Sequence, residues 1–247
     1  MNAPARAVGP ADPVEPVEAT EATEATEATE PVGPVGATTF LVIAKEPVPG
    51  RVKTRLAPEY TAEEAARLAA AALADTLRTV LSLPARRRVL VLEGRPGPWL
   101  PDSGFDVVAQ TGGGLDERLA AAFAGSSGPT LLLGMDTPQV TARTLAPVLA
   151  ADAWRRADAW FGPSEDGGFW ALGLADPDPA LVRGVPMSTD RTGRIQRRRL
   201  TDAGLRVVDL PVLTDVDTAA DVDRVAGQAP GSRFARAVRD RANGVVG

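Results

Sequence analysis

Three cations set two residues apart, Arg51, Lys53 and Arg55, follow the apolar run 40–44 across a turn marked by Pro47, Pro49 and Gly50. Val52 and Thr54 separate them, and no acidic residue lies between positions 47 and 58. In an extended segment that spacing places all three on one side of the chain. An apolar run bounded by turn residues reads as an inner strand of a parallel sheet. A strand, a Gly/Pro turn and a cluster of cations is how an α/β sheet holds phosphates outside its strand ends. A solvated basic loop is the plainer alternative. Acidic residues at three places could complete such a site. Asp136 follows the apolar run 130–135 and precedes Pro138, which disfavours helical geometry at Thr137 and holds the carboxylate at the strand mouth. Asp215 and Asp217 share a side if their short piece is extended, just ahead of a helix that Thr218 and Asp221 can cap. Glu165 and Asp166 precede Gly167 and Gly168. That pattern suits an active-site lip where backbone passes close to a substrate, and it equally suits a hairpin turn.

Composition narrows the chemistry. The chain has 247 residues, no cysteine and no histidine. Disulfides, thiolate metal sites, imidazole-bound zinc and the usual serine triad are therefore excluded. Any metal must be held by oxygen ligands, which points to Mg2+ or Mn2+. Catalysis must rest on carboxylates, lysine, arginine and backbone dipoles. Residues 1–36 hold seven acids against Arg6 alone and four consecutive Glu-Ala-Thr triplets from Glu18, so they carry −6 of a whole-chain −5 and leave the rest at +1. Repetition, like charge and low hydrophobicity predict a disordered acidic tail. A near-neutral globular part with few aromatics gives no case for nucleic acid as a partner. No run has the length of a membrane span and no secretory leader is recognisable, so a soluble cytoplasmic protein is expected.

Positioning these residues requires an ordered set of elements. Thr61 with Glu64 three residues on is a capping box that opens a helix reaching about residue 83, where Pro84 stops it. Strands are expected at 89–92, 105–110, 130–135, 160–162, 169–174 and 205–210. Gln110 precedes a glycine loop, Gly112, Gly113 and Gly114, that runs into an Ala-rich helix. Such a loop lets amides approach a ligand closely or is simply a flexible turn. A further helix spans 141–151, Ser188 and Thr189 open another, and a third follows Thr218. The fold domain is placed at 37–230, and 231–247 reads as a peripheral helix with a frayed end. This order is an α/β pattern with a mostly parallel central sheet flanked by helices. Right-handed crossovers bring the ends of the first and fourth strands to one edge, placing Lys53 near Asp136. Cations beside a metal carboxylate are what phosphoryl or nucleotidyl chemistry requires.

Four motifs in this order, Ala44-Lys-Glu-Pro-Val-Pro-Gly-Arg-Val-Lys-Thr-Arg-Leu-Ala-Pro58, Gly134-Met-Asp-Thr-Pro138, Glu165-Asp-Gly-Gly-Phe169 and Asp215-Val-Asp-Thr218, resemble the radical-SAM/selenodomain-associated transferases. The likeness spans roughly residues 38–225. That group is similar in turn to the molybdenum-cofactor and phospholactate guanylyltransferases. The resemblance implies a single Rossmann-like domain of the nucleotide-diphospho-sugar transferase (A-type glycosyltransferase) kind. It also implies phosphates on Gly50, Arg51, Lys53 and Arg55, and a metal on Asp136, Asp215 and Asp217. The nucleotide would lie along Gln110 and Gly112 to Gly114. The acceptor pocket would be lined by Glu165, Asp166, Gly167 and Gly168, with Ser188 and Thr189 at the nearby helix entrance. Lys53, Asp136 and Asp166 would carry the chemistry. The chain departs from the sugar nucleotidyltransferase signature Gly-Gly-x-Gly-x-Arg, having Pro49-Gly50-Arg51 in its place, and Trp170 and Met187 sit in an acceptor region that varies.

Two reactions fit. In nucleotidyl transfer, a small phosphorylated acceptor attacks the α-phosphate of a nucleoside triphosphate and pyrophosphate leaves. Three cations on one loop suit three phosphates, and in-line attack needs positioning more than a base. In glycosyl transfer from a nucleotide sugar, Asp166 would be the base on the acceptor hydroxyl. A nucleotide-binding regulator without turnover is the third reading. Nucleotidyl transfer makes the fullest use of the basic loop.

Overall fold

The structure is a computed structural model that describes Met1 and residues 36–243. The acidic tail expected at 1–36 therefore lies, apart from its two end residues, outside the described residues, as do the last four positions of the chain. The described residues 36–243 form one compact unit. Its sheet has seven strands: β1 Thr39–Lys45, β2 Arg87–Glu93, β3 Asp106–Ala109, β4 Thr130–Leu133, β5 Ala159–Pro163, β6 Phe169–Leu174 and β7 Val207–Asp209. Their spatial order is β3-β2-β1-β4-β6-β5-β7. The first four run parallel, β6 is antiparallel to both β4 and β5, and β5 is parallel to β7. The sheet is thus mostly parallel and flanked by helices, as the element order predicts. β1 reads as a near-continuous apolar run because it is buried on both faces, the rule for inner parallel strands.

Among the described residues seven helices flank the sheet: α1 Ala62–Ser82, α2 Leu115–Ala124, α3 Ala142–Leu149, α4 Ala153–Arg156, α5 Thr192–Asp202, α6 Ala219–Gln228 and α7 Arg233–Ala242. Among the described residues none is long and apolar enough to cross a membrane. α1 begins with the expected capping box: the Thr61 hydroxyl accepts from Glu64 N–H, and the Glu64 carboxylate accepts from Thr61 N–H at 2.8 Å.

The C-terminal segment is a helix, but it does not sit at the periphery. α7 packs on α1 and α6, and Phe234 is fully buried with Leu56, Tyr60, Leu68 and Val225. Asp75, inside α1, accepts the N–H groups of Arg233 and Phe234 at 3.0 and 2.8 Å, so two of the orphan donors at the start of α7 are satisfied from across the interface. Phe234→Ala should cost about 3–5 kcal/mol of folding stability, readable by chemical denaturation. The same apolar cluster holds Leu56 and Val216, each within three residues of a candidate site residue.

Candidate active site

β1 has β2 on one side and β4 on the other, so the chain leaves β1 in opposite directions along the sheet. At such a switch point the connections beyond the strand ends part and leave a crevice. The loop after β1 supplies the cations. It is not extended as expected. Arg51 N–H bonds Val48 C=O, Gly50 takes φ +75°, and residues 54–56 form a 3-10 turn. Burial of Val52 and Leu56 draws the chain inward on either side of Lys53, which adopts the left-handed conformation (φ 50°, ψ 37°). That region is uncommon for a residue with a side chain and is held here by tertiary packing. Lys53 alone turns inward, its side chain only 8% exposed, while Arg51 and Arg55 stay exposed. All three still line one cavity of about 240 Å3 with Asp136 and Asp217.

The carboxylates arrive from β4 and from the 213–218 segment. Lys53 Nζ lies 2.9 Å from Asp136 Oδ1 and 3.2 Å from Asp217 Oδ1, and Arg55 reaches Asp217 Oδ2 at 3.1 Å. Burial pushes the Lys53 pKa down, but the two carboxylates outweigh it and the net direction is up. Val216 N–H donates to the Asp136 carbonyl at 3.0 Å and Gln139 Nε2 to the Thr214 carbonyl at 2.6 Å, which fixes the two acidic segments against each other. Between the two acids, Val216 is buried and anchors the segment. Thr218 and Asp221 cap α6 reciprocally, leaving Asp217 to the cations.

Asp166 joins this group. The 163–168 turn between β5 and β6 is tied to the 213–218 segment by Leu213 N–H to Pro163 C=O and Glu165 N–H to Leu213 C=O. Carboxylate oxygens of Asp166, Asp215 and Asp217 come within 4.8 Å of one another. The Asp215 pKa is pushed up to about 6, first by burial and then by the charges of Asp166 and Asp217, with Lys53 acting in the opposite direction. Three oxygen donors crowded at that cost fit a hard divalent cation. Asp136, expected beside Asp215 and Asp217 as a ligand, faces the Lys53 ammonium, whereas Asp166 takes the third place in the acidic group.

A larger cavity of about 610 Å3 runs from the end of β1 past these acids to the lip and to residues 187–192. It takes in Gln110, Asp136, Asp166, Gly168, Ser188 and Thr189. Other expected residues lie elsewhere. Glu165 turns out to Arg224 of α6 and does not line the cavity. Gln110, although it borders the cavity, has its amide nitrogen donating to the carbonyls of Ala44 and Val91, so its side chain braces the strands. Gly112, Gly113 and Gly114 are exposed and outside the cavity wall. Glu117 takes the Gly114 N–H, and acids Asp116 and Glu117 in the first turn of α2 disfavour a phosphate there. Gly50 is likewise outside both cavity walls. Gly167 serves packing: it has φ +88°, and a Cβ there would sit 2.1 Å from the Asp190 carbonyl oxygen. Gly167→Ala should therefore push the lip off residues 188–193 and lower stability by about 1–3 kcal/mol, readable by chemical denaturation.

Unforeseen lining residues are Lys45 and Arg118, both paired with Glu93 at the end of β2. Glu93 receives Arg118 at 2.8 Å and Lys45 at 3.4 Å. Lys45 and Glu93 are register partners that close β1 and β2, so a charge ending each of two adjacent apolar strands was the available signal.

An inward ammonium thus faces carboxylates across the switch point of a mostly parallel sheet, the place where α/β sheets of this kind bind ligands. A phosphoenolpyruvate guanylyltransferase from Nocardia farcinica (strain IFM 10152) is 33% identical over 213 residues, covering 77% of this chain and 86% of that relative. The chain belongs to the family of that enzyme. Residues 67–189 also match the family described as "Uncharacterized protein conserved in bacteria (DUF2064)". In fold, the chain is similar to a crystal structure described as a nucleotide-diphospho-sugar transferase from Desulfovibrio desulfuricans, with a TM-score of 0.73 at 24% identity over 85% of this chain and 96% of that one. It is also similar to CMP:2-keto-3-deoxy-manno-octonic acid synthetase complexed with CTP, with a TM-score of 0.52 at 11% identity over 79% of this chain and 99% of that one.

Proposed function

We propose that this protein moves a nucleoside monophosphate from a nucleoside triphosphate to a small phosphorylated acceptor and releases pyrophosphate. The observation that carries the reading is the Lys53 ammonium, buried at the crevice between β1 and β4 and facing Asp136 and Asp217. Arg51, Lys53 and Arg55 hold the triphosphate, and Lys53 meets the charge that develops on the leaving pyrophosphate. Arg55 exchanges Asp217 for phosphate oxygens when the nucleotide binds. Asp136 keeps Lys53 oriented. Asp166, Asp215 and Asp217 would hold Mg2+ or Mn2+, which supplies charge neutralisation at the phosphates when bound. Asp166 is then a ligand as well as part of the acceptor lip. The relative's guanylyltransferase name makes GTP the first donor to try. The four motifs resemble the radical-SAM/selenodomain-associated transferases, whose usual glycosyltransferase-like description fits the alternative, glycosyl transfer from a nucleotide sugar.

The test incubates the full chain with each nucleoside triphosphate, Mg2+ and a panel of phosphorylated acids and sugars, following pyrophosphate. Acceptor-dependent pyrophosphate release is expected. Release of nucleoside diphosphate from sugar nucleotides alone would overturn the reading in favour of glycosyl transfer.

A further inference from the structure

The narrow cavity and the larger one meet. Lys45, Arg55, Met135, Asp136 and Asp217 line both, so the junction lies just past the ends of β1 and β4. Of the two cavities, Arg51 and Lys53 line only the narrow one, and the lip lines only the larger one. A triphosphate whose β- and γ-phosphates rest on Arg51 and Lys53 therefore has its α-phosphate at the junction, within reach of an acceptor in the larger cavity. Among the described residues two cations line both cavities, Lys45 and Arg55. Arg55 is largely exposed and bound to Asp217 at 3.1 Å. Lys45 is the last residue of β1. Its N–H donates to Met135 Sδ at 3.2 Å, and it is in register with Glu93 of β2. Its backbone is thus rooted in the sheet, while its half-exposed ammonium lies 3.4 Å from Glu93 Oε2. That contact is easily given up. Arg118, mostly buried and bonded to Gln110 Oε1 at 3.1 Å, holds the same Glu93 oxygen at 2.8 Å, so Glu93 keeps a charged partner when Lys45 leaves. A half-exposed lysine–carboxylate pair is weak, whereas phosphate oxygens offer an ammonium strong charge-assisted hydrogen bonds.

We infer that Lys45 is a further catalytic residue: its ammonium passes from Glu93 to a non-bridging oxygen of the donor's α-phosphate. This rests on the nucleotidyl-transfer reading and divides the work between two lysines. Lys53 meets the leaving pyrophosphate, and Lys45 meets the phosphorus under attack. In the step, an oxygen of the acceptor's phosphate forms a new bond to the α-phosphorus. The bond from that phosphorus to the α,β-bridging oxygen breaks, and its electron pair leaves on pyrophosphate. Lys45 keeps its protons and only donates hydrogen bonds. Two anions, the acceptor's phosphate and the α-phosphate, must be brought together at the junction, and an ammonium held there offsets their repulsion. The same ammonium faces the charge shared by the equatorial oxygens as the phosphorus becomes five-coordinate. Glu93, steadied by Arg118, is the rest position of the side chain.

The test follows pyrophosphate from the full chain with Mg2+, GTP as first donor and phosphoenolpyruvate as first acceptor, turning to the other triphosphates and the rest of the acceptor panel where these serve the parent better. Lys45→Met keeps the stem and removes the charge, and the half-exposed position lets the fold stand. It should lower kcat by about 10^2. The Kd of a non-hydrolysable analogue of the donor, read by calorimetry, should change less than tenfold, because Arg51, Lys53 and Arg55 hold the other phosphates. Lys45→Arg, which keeps the charge, should recover at least tenfold of the loss. The direct readout is the pair of α-thio diastereomers of the donor, which put sulfur at each non-bridging position of the α-phosphate in turn. Sulfur is a poor acceptor for the lysine N–H groups. With one diastereomer the parent should slow, and its lead over Lys45→Met should narrow at least fivefold. A role in packing, or in pairing with Glu93, would leave that lead the same for oxygen and for both sulfur positions. An equal lead with all three donors would overturn the inference and leave nucleotidyl transfer standing, as would a kcat of Lys45→Met within threefold of the parent. No pyrophosphate from the parent with any donor and acceptor, its triphosphate binding intact, would overturn the transfer reading and this inference with it.

Discussion

Lys53→Ala should lower kcat/KM for pyrophosphate release by about 10^2–10^3, the range seen when one preorganised charge or donor is removed from a developing anion. Every feature around this side chain serves to hold a fixed cation at one point. Its backbone is left-handed, its flanking Val52 and Leu56 are buried, and Asp136 and Asp217 lie 2.9 and 3.2 Å from its ammonium. The raised pKa keeps it charged throughout the working pH range. Lys53→Arg should rescue little, because a planar fork does not replace a compact ammonium between two carboxylates. Lys53→Met keeps the volume of the side chain and should lose the same activity, which separates charge from packing. Stability should fall as well, since Asp136 Oδ1, the atom that faces the ammonium, is buried and is left without a partner. Steady-state kinetics checks the claim, and a kcat/KM within threefold of the parent would contradict it.

Asp215→Asn should act in opposite directions on stability and on function. In the folded protein the Asp215 carboxyl titrates near 6, above the ordinary 3.8, because it is buried beside Asp166 and Asp217. A raised acid pKa means that the folded state binds the proton more tightly than the unfolded state does. The stabilisation from protonation is therefore complete below about pH 4 and is lost as pH rises through about 6. At pH 7.5 without metal the ionised side chain is a burden, and the amide removes it. Metal-free Asp215→Asn should melt higher at pH 7.5, by about 2–4 °C for each kcal/mol recovered, and should match the parent near pH 4. With Mg2+ the order reverses. The parent gains stability from the ion, more so as pH rises through 6 because binding displaces a proton, while the variant gains little and loses at least about 10^2 in activity. Thermal melts across pH with and without Mg2+ read all of this. A lower metal-free melting point, or Mg2+ stabilisation retained in the variant, would contradict it.

Much of this arrangement is written locally. β1 and β6 are apolar runs bounded by turn residues, and the capping pairs Thr61/Glu64 and Thr218/Asp221 mark the starts of α1 and α6. The approach of Lys53 to Asp136 follows from topology, because β1 and β4 are neighbours. What escapes a local reading is set by contacts distant in sequence. Alternation of Arg51, Lys53 and Arg55 suggests an extended piece, but burial of Leu56 against Val216 and Phe234 coils it into a turn. Glu165 and Asp166 are adjacent acids with nothing local to tell them apart. The pairing of Ser164 with Leu213 turns one toward Asp215 and the other toward Arg224. α7 reads as peripheral because its composition is dominated by arginine and alanine, and its anchors are one aromatic ring and an aspartate 158 residues earlier. Gly112 to Gly114 look like a ligand cradle until the carboxylate of Glu117 is seen on the loop's own amide.

The most direct test is a crystal structure of the full chain with a non-hydrolysable GTP analogue and Mn2+, the ion located by its anomalous signal. The account predicts the ion among the carboxylates of Asp166, Asp215 and Asp217, with Lys53 Nζ within hydrogen-bonding distance of the β- or γ-phosphate. A nucleotide bound away from the β1–β4 crevice, or an ion held by none of these carboxylates, would contradict it.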